Sequence, residues 1–286
     1  MKALANIVVC LLLLSSYSLA DVTAKFNFEN AAGATFRTEE RQKISVNGNP
    51  RQQNKFTTGF EITEVAREGD SYHVEVAYRS QKAELVINGQ AFDTTTNPQL
   101  KAASDDLVGR KLTYVVALDC RVKEVQGIEQ LLKSRAGQMF GSGLDEVVCK
   151  RSFERILLAR DDVDAPLKKG DGWQVSEETA LDANTKFTLK SNVTLTDVDE
   201  HRLFFDVSSK GEIAAGNRDI SIDTPRGTGK IIWNREVDLP ASITLDTAVK
   251  ITYESNPQSP VTLDVESFCK ILLDPRNSGD AEVEAP

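Results

Sequence analysis

The side chains able to carry chemistry are few and scattered. Two histidines occur in 286 residues, His73 and His201. Each falls on the polar side of an alternating stretch, so both are expected as solvated surface groups. A metal site would need further ligands nearby, and no Cys/His cluster has the spacing. Gly141-Ser142-Gly143 lacks the flanking pattern of a hydrolase nucleophile elbow and follows no strand, so it reads as a helix breaker. Gly227-Thr228-Gly229-Lys230 is a fragment of a phosphate loop. It lacks the earlier glycine and precedes a strand instead of a helix, so a hairpin loop is expected there. Asp161, Asp162 and Asp164 could attract calcium, but the glycine and terminal glutamate of a calcium loop are missing, which leaves a solvated helix end. Asn192-Val193-Thr194 has the form of a glycosylation sequon, meaningful only in a eukaryotic secretory host. No constellation meets the requirements of an active site, and the expectation is a protein that is not an enzyme, with no cofactor and no metal.

The N-terminus points to export. Met1-Lys2 is followed by an apolar run from Ile7 to Leu14 and then Ser18-Leu19-Ala20, the outline of a secretory signal peptide cut between Ala20 and Asp21. The apolar run is too short for a bilayer span of about 20 helical residues. Lipid attachment at Cys10 is disfavoured by the bulky Val9 before it. No later stretch approaches transmembrane length. Cleavage removes Lys2 and no acid, so the net charge moves from −9 to −10. An acidic chain does not seek phosphate backbones, which argues against nucleic acid as a partner. A periplasmic or extracellular location also permits disulfides. Cys120, Cys149 and Cys269 outlast the cut, and all three lie on apolar faces. A Cys120–Cys149 bridge would tie the first β half to the helices, contributing on the order of 3–4 kcal/mol; the alternative is three inert buried thiols.

The elements that position these residues are mostly strands. The chain divides into a first β-rich half (21–124), a central helical segment (125–165), a second β-rich half (166–273) and an acidic tail (274–286) expected to be disordered. In the first half, Asp21–Asn49 reads as two edge-like strands. Phe56, Thr58, Phe60 and Ile62 alternate with polar residues, Arg67–Asp70 forms a turn, and Tyr72, Val74, Val76 and Tyr78 return as the second arm of a hairpin. Asn88-Gly89 is the strongest turn signal. Thr94–Asp106 is polar and reads as a loop. Helical spacing is confined to Val125–Trp173, where Ile128, Leu131 and Leu132 begin one short helix and Leu144, Val147, Cys149, Phe153, Ile156 and Leu157 a second, separated by glycines. Period two resumes after Trp173, through Phe187–Leu195, Leu203–Val207, Ile231–Val237, Ile243–Tyr253 and Val261–Ile271. Phe60–Val65 and Val193–Val198 are alike, a faint internal repeat that any two hairpins could also produce. The fold class expected is α+β and mainly antiparallel β: one or more large curved sheets, or two β-rich halves, around short helices.

Pro166, Gly170, Asp171 and Trp173 form a proline-containing stretch followed by a Gly-Asp-x-Trp motif. With the Gly69-Asp70 hairpin turn, this resembles an uncharacterised family of exported bacterial envelope proteins. The resemblance implies an exported β-rich fold and brings no activity or catalytic residue. A curved sheet with helices against it can enclose an apolar groove, lined on this reading by Phe56, Phe60, Tyr72, Tyr78, Tyr114, Trp233 and Tyr253. The ligand expected is a lipid acyl chain or an apolar protein segment. The alternative is a structural or partner-binding envelope protein that uses an exposed strand edge or the Ile243–Tyr253 strand.

Overall fold

The computed structural model describes residues 22–140, 146–180, 186–214, 220–253 and 260–273. The Gly141–Gly143 break, the leader with Cys10, and the acidic tail therefore lie outside the described residues. Among the described residues, twelve strands, all paired antiparallel, form one open sheet. A short helix α1 (Phe28–Ala31) precedes β1 (Thr35–Val46), β2 (Asn49–Glu68), β3 (Ser71–Ile87) and β4 (Gln90–Asp93). Helix α2 (Pro98–Leu107), β5 (Lys111–Ala117) and β6 (Val122–Gln126) follow, then helices α3 (Ile128–Lys133), α4 (Arg135–Phe140) and α5 (Glu146–Leu157). The second run of strands is β7 (Gly172–Ala180), β8 (Lys186–Val198), β9 (Arg202–Ala214), β10 (Ile220–Asn234), β11 (Leu239–Tyr253) and β12 (Val261–Leu273). Their order across the sheet is β6-β5-β3-β2-β1-β12-β11-β10-β9-β8-β7, with β4 beside the end of β3. Strands as long as β2, with 20 residues, accumulate the right-handed twist of the backbone, so the sheet curves.

The two runs of strands meet where β1 pairs with β12, from Phe36 opposite Leu273 to Val46 opposite Leu263. β1 is thus a central strand and not the edge strand its imperfect alternation suggests. Glu39 and Arg41 sit on the solvent face, and the partner that makes the strand central is more than two hundred residues away. Gly227-Thr228-Gly229 also departs from expectation: it runs through the middle of β10, paired on both sides, and forms no hairpin loop. A Cβ at Gly229 would stand 2.3 Å from the Thr244 carbonyl oxygen and 2.6 Å from Leu245. Glycine is there because neighbouring strands approach closely, not because the chain turns. Asn88-Gly89 does turn, with both residues at positive φ between β3 and β4.

The helices pack on one face of the sheet. Thr94–Asp106, read as a loop, contains α2. Asn97 Oδ1 accepts from the backbone N–H of Gln99 (2.9 Å) and Leu100 (3.0 Å), and Pro98 opens the first turn. Leu100, Ala103 and Leu107 bury a stripe too narrow to register in so polar a sequence. On α5, Cys149, Phe153, Ile156 and Leu157 are buried, and Phe153 stacks on Tyr114 of β5 at 4.2 Å. Across the sheet the core continues through Phe36, Phe60, Ile271, Ile243, Ile231 and Phe205, which share one face by register. No helix among the described residues is long and apolar enough to cross a membrane.

Candidate functional site

The Gly-Asp-x-Trp motif builds the entry to the second run of strands. Gly170 adopts φ +97°, which only glycine takes without strain. Its N–H donates to the Leu195 carbonyl (2.8 Å), and Leu195 N–H donates to the carbonyl of Asp171 (2.9 Å). The Asp171 carboxylate accepts from Lys168 N–H at 2.8 Å and closes the turn. Trp173 then meets Phe205 edge-on at 5.6 Å and lies under the Arg160 guanidinium, 5.2 Å from ring centre to Cζ. Arg160 is 6% exposed and donates through Nη2 to the carbonyls of Val163 (2.9 Å) and Ala165 (3.0 Å). The motif is a structural anchor, and Arg160, which no sequence pattern marks, completes it.

The residues with reactive side chains stand apart. His73 faces Glu68 (3.4 Å) and His201 faces Glu236 (2.7 Å), in different hairpins. Asp161 pairs with Arg121, and Asp164 with Lys25 at 2.6 Å. Asp162 accepts from Ala165 N–H at 3.1 Å. All three carboxylates of the acidic cluster are thus engaged in holding the loop after α5. The expected Cys120–Cys149 bridge is not formed, and Cys120 and Cys269 carry thiols. Cys120 is wholly buried in the turn between β5 and β6, beside the Phe26 backbone, while Cys149 meets the Tyr114 hydroxyl. Burial pushes the thiols of Cys120 and Cys269 up to about 11. Glu40 lies beside Cys269 and near Arg155, and desolvation raises its carboxyl in spite of the basic neighbour.

Of the seven residues expected to line a groove between sheet and helices, five lie in the core or pack against it. Phe60, Tyr114 and Trp233 are in the closed core, with Trp233 fully buried. Tyr72 stacks on Phe28 at 4.1 Å, and Tyr78 packs against the same core. Phe56 meets Phe140, the last residue of α4, edge-on at 5.9 Å. Tyr253 is partly buried near the end of β11. That placement fits the tendency of aromatic side chains to complete a core.

Two features of the sheet remain open. On the helix-bearing face, the row Ile44–Val265–Val249 and the next row Val46–Leu263–Ile251 continue the apolar pattern outside the core cluster. Ile251 is buried among its neighbours, and Val261, one row further, is 44% exposed. A polar band of Gln42, Asn54, Ser267 and Thr247 separates this strip from the core. On the opposite face lies a cavity of ≈ 1110 Å³ lined from β3 and β4 at one end to β10 and β11 at the other. Side chains of the outward rows, such as Arg41, Lys43, Lys55 and Glu266, flank it. The Gln42–Ser267 row lies at its floor, between the outward rows Arg41–Phe268 and Lys43–Glu266 that wall it, whereas the inward rows Glu40–Cys269 and Ile44–Val265 do not reach it, which places it on the outward face. None of the seven expected groove residues lines it.

The sequence matches DUF6263, a family of unknown function, over residues 69–261. No curated protein matches it. Among solved structures, lipovitellin, in a structure of its lipid–protein interactions, superposes with a TM-score of 0.51 at 8% identity, over 91% of this chain and 27% of its own. The chain thus spans about a quarter of the length of lipovitellin, and the likeness is one of fold. A Bacteroides fragilis protein described as exported, with a YmcC-like fold, is matched over 88% of this chain and 98% of its own, at 7% identity and a TM-score of 0.22.

Proposed function

Because the chain belongs to the DUF6263 family, whose function is unknown, we propose its role from the sheet itself: an exported, non-enzymatic envelope protein that holds a lipid acyl chain against the open apolar strip. The observation that carries this reading is the pair of rows Ile44–Val265–Val249 and Val46–Leu263–Ile251, which are apolar and lie outside the core. A hydrocarbon chain laid across them gains roughly 25 cal/mol per Å² of apolar surface removed from water, without a hydrogen bond to satisfy. The sheet fold shared with lipovitellin supports the choice of lipid over other apolar ligands by analogy. The leader-like first twenty residues support export. The separate, carboxylate-paired histidines support a role without catalysis. A partner-binding role is the second reading, favoured by β7, which ends the sheet and pairs only with β8 among the described strands.

The test begins with protein purified from envelope fractions without detergent, whose solvent extract is analysed for lipid by mass spectrometry. N-terminal sequencing of the same material is expected to begin at Asp21. The delipidated protein is then titrated with a fluorescent fatty acid. Saturable binding, abolished by Val265→Lys, is expected. Delipidated protein that takes up no fatty acid, or a Val265→Lys variant that binds as well as the parent, would sink the lipid reading. Crosslinking in intact cells that traps one dominant protein partner would favour the second.

A further inference from the structure

The cavity on the face away from the helices is a second site, and its chemistry is the reverse of the apolar strip. Its lining spans β3, β2, β1, β12, β11 and β10, five strand spacings or about 24 Å. Five basic and four acidic side chains line it, in a chain whose acids outnumber its bases 43 to 34. Opposite charges neutralise one another across neighbouring strands. Lys43 pairs with Glu266 and Lys55 with Glu84, each at 3.4 Å, and all four are at least 38% exposed at the side chain. Exposed pairs of this kind are weak, so their members can turn to a ligand at little cost. In the middle, Arg41 stacks over the Phe268 ring at 5.4 Å and gives the wall a flat face. The central strands are hydrogen-bonded on both sides, so the floor has no free backbone to pair with an incoming peptide strand.

Lysine and arginine only donate hydrogen bonds, and ionised carboxylates only accept them. Donors and acceptors interleaved along one trough suit a ligand whose every group does both, which is the property of a hydroxyl. A polyanion would meet Glu84, Asp246 and Glu266; a polycation would meet Arg41, Lys43 and Arg226. We propose that this groove binds an uncharged oligosaccharide several sugar rings long, its hydroxyls shared between the paired ions and one ring face set against the Arg41–Phe268 stack. This site is independent of the acyl-chain reading, because it lies on the other face of the sheet.

The experiment is calorimetric titration of the purified full-length protein with uncharged hexasaccharides of three linkages: cellohexaose, maltohexaose and chitohexaose. Hexagalacturonate serves as the polyanionic arm and an extended mixed-charge peptide as the peptide arm. At least one uncharged hexasaccharide is expected to bind saturably. Asp246→Asn and Phe268→Ala are each expected to weaken it tenfold or more. Lys190→Ala, on the outward face of β8 beyond the groove, is expected to leave it unchanged. Asp246 is exposed and its replacement is isosteric, so this variant keeps the fold, which circular dichroism checks. The proposal is overturned if none of the three uncharged chains binds, if hexagalacturonate or the peptide binds more tightly, or if both groove variants bind like the parent. Fatty-acid titration of the same variants is expected to be unchanged, which keeps the outcome separate from that of the apolar strip.

Discussion

On the helix-bearing face, Phe36, Phe60, Ile271 and Ile243 vanish beneath α5 and its neighbours, while Ile44, Val265, Val249 and Leu263, on three of the same strands, lie outside that core. Both sets alternate with polar residues at period two. What separates them is cover. The longer helices are few, and their hydrophobic stripes are short: Leu100, Ala103 and Leu107 on α2, and Cys149 to Leu157 on α5. Strands of 12 to 20 residues outrun them. A strand pattern therefore states which face is apolar, and only the length of the covering layer states how much of that face becomes core.

The sharpest way to break this comparison is to truncate one residue in each region. Phe153→Ala, under the helices and stacked on Tyr114, is expected to cost about 3–5 kcal/mol in urea unfolding. Val265→Ala on the open strip is expected to cost about 1 kcal/mol or less, because Val265 is only half-buried and lies outside the core. Equal losses would mean that the strip is covered core and that the distinction fails. Next in size is Arg160→Ala, at the margin of the covered region. It strips hydrogen bonds from the buried Val163 carbonyl and the part-buried Ala165 carbonyl and the cation from Trp173, with an expected loss on the order of 2–3 kcal/mol and a shift in Trp173 fluorescence. A loss within error would mean that water replaces the guanidinium readily. Asn97→Ala removes the cap of α2 and is expected to cost about 1 kcal/mol, read as a lower urea midpoint with an unchanged slope.

The smallest effect is one of pH. Asp93 accepts from the Thr95 hydroxyl and from the N–H groups of Thr95 and Thr96, which holds its carboxyl down at about 2. A depressed carboxyl stabilises the fold above its ordinary value near 3.8, and that contribution is lost as pH falls through about 2. NMR titration of the Asp93 carboxyl carbon is expected to give a midpoint near 2. A midpoint at the ordinary value would show that the turn leading into α2 is not held as described.

Much of the architecture was legible in the residues. The mainly antiparallel β fold, the Asn88-Gly89 turn, the β2–β3 hairpin and the helical stretch after Val125 follow from alternation, turn chemistry and three-to-four spacing, which are local properties. The failures share a cause. Thr94–Asp106 hid α2 because its stripe is narrow and its cap is a single asparagine. Gly227 and Gly229 imitated a turn because glycine serves close strand contact as well as reversal. Aromatic alternation points to a groove, yet Phe60, Tyr114 and Trp233 are core, because aromatic side chains fill cores as readily as they line clefts.

The sequence by itself determined which residues alternate and where the chain must reverse. Only the tertiary structure decided that β1 and β12 join the two runs of strands into one sheet, that the helices cover part of one face, and that the open cavity lies on the other. Backbone periodicity is fixed by neighbours one to four residues away. Cover and curvature depend on strand pairings across more than two hundred residues and on how far a short helix can reach.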